Sequence, residues 1–336
     1  MSGEGDTPAP PAGVTYTHLD EPLFDGSGAT KRDLVEYLDA VHERILPELE
    51  DRPLSVVRVH RGQEAFMQKN LPGYTPAWVQ RVGFWAEASK REVEYALCND
   101  RRTLLSFANQ RAVEYHPTLV LAGRRDRMTH LVIDLDPPDV GAFRLAVRVA
   151  GLVRQVLDEC GLQAAVKTSG SKGLHIVVPI DDRFSLADAA AATRAIARRT
   201  EALDPGVATT AFVKADRGQK VFVDSTRAGG ATVVACYSPR VRPGVPVSFP
   251  VGWSQLDDVA PGDFTLHTAM GHLEGAGDPW REQLPAPQGL PGDLIEEGHT
   301  IPLGRVEAMH EGKRRARSER AGSAAAGGGG ASPQAT

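Results

Sequence analysis

The chain has 336 residues, with 38 Lys and Arg against 43 Asp and Glu and a formal net charge of -5. Hydrophobic residues make up 41% and charged residues 24%, which excludes wholesale disorder, a collagen-like repeat and a coiled coil. The length allows one large domain or two modest ones, and no run approaches the ~18 apolar residues of a membrane helix.

Residues 1–13 are Pro, Gly and small polar residues, too poor in apolar surface to offset the entropy of ordering. They carry neither a basic flank nor an apolar stretch, so no secretory signal is expected and the location is read as cytoplasmic. Thr30 and Asp33 then form a capping-box pattern ahead of Leu34, Tyr37, Leu38, Val41, Ile45 and Leu49, which recur at helical spacing. A second helix is predicted over 140–160, where Phe143, Val147, Ala150, Val153 and Leu157 repeat the pattern and Gly161 ends it. Ser185 and Asp188 open a third, running to about Leu203. Short β-branched runs predict strands in THLVIDLDP, AAVKTSG, LHIVVPI, KVFVDST and ATVVACYS. Segments 242–262 and 276–292 read as long ordered loops. Past residue 310, five basic residues against two acidic ones lead into a Gly- and Ala-rich end. Such a tail either holds nucleic acid by phosphate attraction or is simply solvated.

The three cysteines, Cys98, Cys160 and Cys236, are far apart and form no CxxC pair, so they read as small buried hydrophobes. His267 and His272, the closest histidine pair, have no metal-site signature around them.

Three local patterns carry chemistry. In the strand ending Ile133-Asp134-Leu135-Asp136-Pro137-Pro138, side chains alternate, so Asp134 and Asp136 share the face opposite Ile133 and Leu135. Carboxylates at i and i+2 lie roughly 6–7 Å apart along a strand and can bracket a hard divalent cation; the other reading is a strand end with two solvated acids. In Lys167-Thr168-Ser169-Gly170-Ser171-Lys172-Gly173-Leu174-His175, glycines open the backbone to an anion, hydroxyls donate, and Lys172 adds a point charge. Alone, the same stretch is a serviceable hairpin turn, and His175 a satisfied histidine. In Arg217-Gly218-Gln219-Lys220-Val221-Phe222-Val223-Asp224, Asp224 closes a strand on the face of Lys220 and Phe222. A third acid beside an acidic pair suits a two-metal site, and Arg217, Lys220, Arg240 and Arg242 add positive charge around it. Acids for metals beside bases for phosphates suggest phosphoryl chemistry on a nucleotide.

The order DLDPP, KTSGxKGLHIVVP, KVFVD, ACYSPRVRPGxPVSFP resembles the polymerase domain of bacterial ligase D, a member of the archaeo-eukaryotic primase superfamily that serves non-homologous end joining. Upstream, Thr30-Lys31, Phe66-Met67-Gln68-Lys69 and Glu114-Tyr115-His116-Pro117 extend the resemblance over roughly residues 14–300. With no ligase or nuclease domain in the chain, the stand-alone form is the one resembled. The resemblance implies that Asp134, Asp136 and Asp224 are the metal-binding catalytic triad. It makes Ser169, Lys172 and His175 the triphosphate segment, with Arg217, Arg240 and His116 at the nucleotide pocket. Lys31 would grip the 5′-phosphate of a DNA end, Phe66 would stack on the template, and Lys69 would touch DNA. At the head of its helix Lys31 would be helped by backbone N–H groups and the helix dipole.

The resemblance has departures. Glu21 stands where a second phosphate lysine is expected, Met67 replaces the second aromatic of a Phe-Phe pair, and Thr118 replaces a tryptophan. After the third aspartate, Ser225-Thr226-Arg227-Ala228 stands where the family often has Trp-Ser-Gln-Asn.

The fold expected is α+β: a primase-like catalytic core with a small, mostly antiparallel sheet flanked by helices, packed on an N-terminal α/β portion. The division expected is a disordered tail over 1–13, one domain over 14–305 (14–125 N-terminal, 126–300 catalytic), and a basic then Gly/Ala-rich disordered tail over 306–336. The activity expected is template-dependent nucleotidyl transfer with two divalent cations, Mn²⁺ preferred and Mg²⁺ usable. Nucleoside triphosphates, ribonucleotides first, would be added to primer 3′ ends at DNA ends or gaps. A separate ligase and an end-binding protein are the partners implied, and no membrane. A primer-making or gap-filling polymerase outside end joining, and a non-catalytic DNA-end binder, are the alternatives.

Overall fold

A computed structural model describes residues 7–60, 62–86, 90–227, 231–275 and 277–303. The basic tail lies outside the described residues, as does the start of the N-terminal stretch.

The first helical stripe folds as two helices, α1 (Lys31–Ala40) and α2 (His42–Leu49). The chain breaks at Val41, and His42 Nδ1 lies 2.5 Å from the Asp39 carbonyl there. Leu34, Leu38, Val41, Ile45 and Leu49 nevertheless remain fully buried. The strands β1 (Leu54–Arg58), β2 (Phe66–Gln68), β3 (Arg81–Ala86) and β4 (Arg91–Ala96) follow, then α3 (Arg101–Asn109) and β5 (Ala112–Pro117). They make one antiparallel sheet in the order β2-β1-β4-β3, with β5 on the other edge of β1. A hairpin of β6 (Val120–Leu121) and β7 (Arg124–Met128) leads into the second sheet.

That sheet consists of β8 (His130–Asp136), β9 (Ala165–Thr168), β10 (Leu174–Pro179), β11 (Ala208–Thr209) and β12 (Val221–Asp224), in the order β11-β12-β8-β10-β9. All pairs are antiparallel except β11 with β12. Between the strands run α4 (Phe143–Glu159) and α5 (Leu186–Leu203), both of which contact β8. Leu131, Ile133 and Leu135 are wholly buried, as the alternation along β8 requires. The acids are thereby turned to the opposite face. The end of the described chain adds α6 (Ala269–Leu273), α7 (Pro279–Gln283) and α8 (Gly292–Thr300), the last packed on α5.

The fold is thus the α+β arrangement expected, two small and mostly antiparallel sheets with helices against them. One expected strand is absent. Residues 231–238 run beside β5, with Val233 N donating to Pro117 and Ala235 N to Tyr115, yet form only an isolated bridge at Thr232. Tyr115 N donates instead to the Ser238 side chain, which interrupts a regular ladder. Cys98 and Cys236 are buried and all three cysteines are free. Among the described residues no helix is long and apolar enough to cross a membrane.

Candidate active site

The register of the second sheet builds the site. On β8, Asp134 stands opposite Asp224 of β12 on one side and His175 of β10 on the other, and His175 stands opposite Lys167 of β9. Four polar side chains therefore form one row across four strands, and Asp136 lies two residues further along the same face. Burial raises the Asp134 carboxyl above its ordinary range, and the neighbouring Asp224 and Asp136 push the same way against the pull of Arg227.

Cations already hold these acids. Arg227 places Nη2 2.7 Å and Nε 3.1 Å from Asp134 Oδ2, and Nε 3.4 Å from Asp224 Oδ2. A turn after β12 sets this up, because Asp224 Oδ1 accepts from Thr226 N at 2.8 Å and from Thr226 Oγ1 at 2.6 Å, folding Arg227 back over the strand end. Asp136 is held by Lys172 Nζ at 2.9 Å and by Arg217 Nη1 at 3.3 Å. Burial alone would lower the Arg227 guanidinium, but Asp134, Asp224 and Asp136 raise it above the ordinary arginine value. Among the described residues no three His, Cys, Asp or Glu side chains are gathered closely enough to hold a metal ion as they stand. The donors still suit a hard cation in kind: three carboxylates at the ends of adjacent strands, on one face.

The loop between β9 and β10 is the second component. Ser169 Oγ accepts from Ser171 N at 3.3 Å and from Gly173 N at 3.1 Å, so the hydroxyl that was a candidate phosphate donor also braces its own turn. Two glycines make the turn feasible. Gly170 has φ +65°, and a Cβ there would sit 2.7 Å from both Ser248 N and Arg240 Cγ; a Cβ on Gly173 would lie 1.9 Å from the Leu135 carbonyl oxygen. Lys172 is anchored to the Pro137 carbonyl at 2.6 Å, directly beyond the acidic strand end.

Arginines frame the other walls. Arg217 donates to the Ala211 and Phe212 carbonyls at 3.1 and 3.0 Å and lies 3.6 Å from the Phe222 ring centroid, a cation–π contact. Arg240 donates to the Ser169 carbonyl and has Nε 3.1 Å from Glu114 Oε2. Glu114 also takes His116 Nε2 at 2.7 Å and Val241 N at 2.8 Å. Burial works to raise the Glu114 carboxyl, but the His116 hydrogen bond and Arg240 outweigh it and hold the group down at about 2. His116 and His175 are both pushed down, burial being the largest cause; the two positive neighbours Lys167 and Arg240 lower His175 further.

The residues assigned to metal and nucleotide from the sequence thus share one open cavity of about 600 Å³: Asp134, Asp136, Asp224, Ser169, Lys172, His175, Arg217, Arg240 and His116 all line it, with Arg242 and Met67. Sequence reasoning missed Arg227 as a partner of the acids. It also passed over Glu114 and Lys167, which lie inside quoted motifs but whose partners come from distant segments.

The residues assigned to DNA lie elsewhere. Phe66 on β2 is 39% exposed and stacked on His60 with centroids 5.3 Å apart, and Lys69 is exposed just beyond β2. Lys31 departs from expectation. It is 2% exposed, and Nζ is turned inward to the Thr17 carbonyl at 2.5 Å. Burial, with Arg111 nearby, lowers its ammonium to about 8. Nor are the first amides of α1 available to an anion. Thr30 N donates to Asp33 Oδ2, Lys31 N to the Glu21 carbonyl, Arg32 N to the Leu19 carbonyl and Asp33 N to Thr30 Oγ1. Helix ends must have such groups satisfied, and here the chain satisfies its own. Glu21 is paired with Arg111 at 2.7 Å. A cavity of about 940 Å³ opens beside this region, lined in part by His18, Asp20, Glu21, Asp25, His60 and Glu64.

Residues 30–280 match the family described as LigD, primase-polymerase domain. The bifunctional non-homologous end joining protein LigD of Bacillus subtilis is 32% identical over 284 residues, covering 83% of this chain and 45% of that protein. The multifunctional non-homologous end joining DNA repair protein LigD of Mycobacterium tuberculosis is 32% identical over 276 residues, covering 79% of this chain and 36% of that protein. The chain spans less than half the length of these curated relatives. Among solved structures, the polymerase domain of Mycobacterium tuberculosis ligase D in complex with DNA superposes with a TM-score of 0.73 at 31% identity, covering 80% of this chain and 97% of that one.

Proposed function

The chain belongs to the LigD primase-polymerase family, and on that premise we propose that it is a template-dependent nucleotidyltransferase acting at DNA ends or gaps in end joining. Nucleoside triphosphates, ribonucleotides by preference, are its substrates. The observation that carries this reading is the single cavity in which three strand-end carboxylates face Lys172, Arg217, Arg240 and two histidines. Carboxylates that can hold cations, set against bases that can hold phosphates, suit phosphoryl transfer.

In the reaction, the primer 3′-oxygen forms a bond to the α-phosphorus. The bond from that phosphorus to the α–β bridging oxygen breaks, pyrophosphate leaves, and the hydroxyl proton passes to solvent. Two divalent cations, Mn²⁺ by preference or Mg²⁺, held by Asp134, Asp136 and Asp224, would acidify the hydroxyl and offset phosphate charge. Arg227, which pairs with Asp134, would give up that carboxylate to the cations and would itself be within the same cavity as the triphosphate oxygens. Lys172, Arg217 and Arg240 bind the triphosphate and counter the charge growing on the leaving pyrophosphate. Glu114 orients His116 and Arg240 for that task. Phe66, exposed on β2, and Lys69, exposed just beyond it, would meet the DNA, and a separate ligase and end-binding protein would be the partners.

The inward Lys31 and the Arg111-paired Glu21 favour one refinement: gap filling that depends little on a 5′-phosphate. A primer-extension assay on gapped and ended templates, with Mn²⁺ or Mg²⁺ and ribo- or deoxyribonucleotides, tests the proposal. Template-directed addition supports it. Complete inactivity under every one of these conditions, from protein that still binds the DNA, leaves an end-binding protein instead.

A further inference from the structure

Lys167 is a lysine at 2% exposure on β9, the end strand of the second sheet, where a buried charge needs a reason. Among the described residues it makes no ion pair, yet all three donors of its ammonium are used: the Val234 carbonyl at 3.0 Å, Ser248 Oγ at 2.6 Å and His175 Nδ1 at 3.0 Å. Ser248 Oγ gives its own proton to the Thr168 carbonyl at 2.8 Å, so it can only accept from Lys167. A carbonyl can only accept as well. An ammonium has three donors and no lone pair, so Nδ1 of His175 must be the unprotonated nitrogen. The proton of the neutral ring then sits on Nε2, which faces the cavity. Its nearest carboxylate oxygen, Asp134 Oδ1, is 3.5 Å away, too long to use that proton fully.

We propose that Lys167 is a positioning residue that fixes His175 as the Nε2–H tautomer, committing it to donate a hydrogen bond to a triphosphate oxygen and barring it from ligating a metal or acting as a base. The choice of ligand rests on the polymerase reading above. Burial lowers the Lys167 ammonium to about 8, which leaves it charged, and three-handed, at neutral pH. A histidine beside three carboxylates would otherwise be a ready cation ligand through an Nε2 lone pair. Lys167 removes that lone pair from the site without touching substrate. The logic is that of the partner to a metal-bound histidine, run in reverse: the remote nitrogen is made to accept, so the near one must donate.

The test is nitrogen-15 NMR of ring-labelled protein near neutral pH, with nucleoside triphosphate binding titrated on the same samples. Wild type should show His175 with a protonated Nε2 and a bare Nδ1. Lys167→Arg keeps donors and, like lysine, has no lone pair to accept with, and should retain that tautomer and bind nucleotide within about twofold of wild type. Lys167→Met keeps the length but no donor. It should let the tautomers mix and weaken binding about tenfold, the order of one lost charge-assisted hydrogen bond. A protonated Nδ1 in wild type overturns the proposal, and needs no variant to fold. So does Lys167→Met with the tautomer and affinity of wild type, or equal losses in both variants, which would mark a merely structural lysine. Wild type that binds no nucleoside triphosphate sinks the polymerase reading and the ligand named here, and is seen apart from the spectrum.

Discussion

The two main cavities are built on opposite electrostatic plans. In the smaller, every acid has a cation beside it: Arg227 on Asp134 and Asp224, Lys172 and Arg217 on Asp136, Arg240 on Glu114. In the larger, beside the start of α1, Asp20, Glu21, Asp25 and Glu64 line the wall without a lysine or arginine among the described lining residues; Arg32 and Arg111 pair with Asp20 and Glu21 from outside it, and Lys31 is turned inward to a backbone carbonyl. The first holds paired charges, so exchanging a protein cation for a metal, or a protein carboxylate for a phosphate, costs little net charge. The second offers an incoming phosphate mostly like charge. Size is therefore a poor guide: the roomier cavity is the less suited to a nucleotide.

Glu114 tests the plan of the smaller cavity most severely. Its carboxyl is held at about 2, against an ordinary value near ~4.3 in an unfolded chain. A depressed acid adds stability that is complete above the unfolded value and is lost as pH falls from about 4 towards about 2. The two-unit gap corresponds to ~3 kcal/mol at neutral pH. Urea unfolding of Glu114→Gln should therefore show a deficit of that order at pH 7, narrowing steadily in acid. A deficit independent of pH would mean that packing, and not charge, ties His116 and Arg240 to this residue.

Lys172→Ala should weaken nucleotide use more than DNA binding. One charge-assisted contact is worth roughly 1.5–3 kcal/mol, about tenfold or more in affinity or rate. Unchanged nucleotide kinetics would demote the loop between β9 and β10 to an ordinary turn.

For the larger cavity the expected effect is smaller. Wild type should discriminate poorly between 5′-phosphorylated and unphosphorylated gaps. Glu21→Lys should strengthen binding to the phosphorylated gap by about 1–2 kcal/mol, partly by freeing Arg111, and added salt should shrink the gain. Strong preference for the phosphorylated end by wild type, unaffected by Glu21→Lys, would show that the phosphate is held elsewhere, with Lys69 the next basic residue to alter.

The contrast also explains what could be read from the sequence. Strand alternation suffices to put Asp134 and Asp136 on one face, and the glycines of the SGSKG turn are visible as letters. Ordered motifs and resemblance supplied Asp224, His175 and the fold. Arg227 was hidden because its contact depends on the turn that Thr226 makes around Asp224. Lys167 was hidden because its partners at 234 and 248 arrive from loops far along the chain. The surroundings of Lys31 were hidden for a similar reason: a capped helix start looks like an open anion site, and its sequence does not show that residues 17–21 fold back to meet two of its amides and its ammonium. Residues 231–238 have strand composition, but a side-chain acceptor, Ser238, competes for the backbone of β5.

The central claim, that the smaller cavity is where nucleotides are joined, is tested most directly by primer extension with the Asp134→Ala, Asp136→Ala double variant, measured alongside its DNA binding. Losing the carboxylates that can hold cations should reduce addition to background, while DNA affinity, which depends on phosphate contacts made elsewhere, stays within about twofold of wild type. Extension by the double variant at a rate near that of wild type would contradict the assignment.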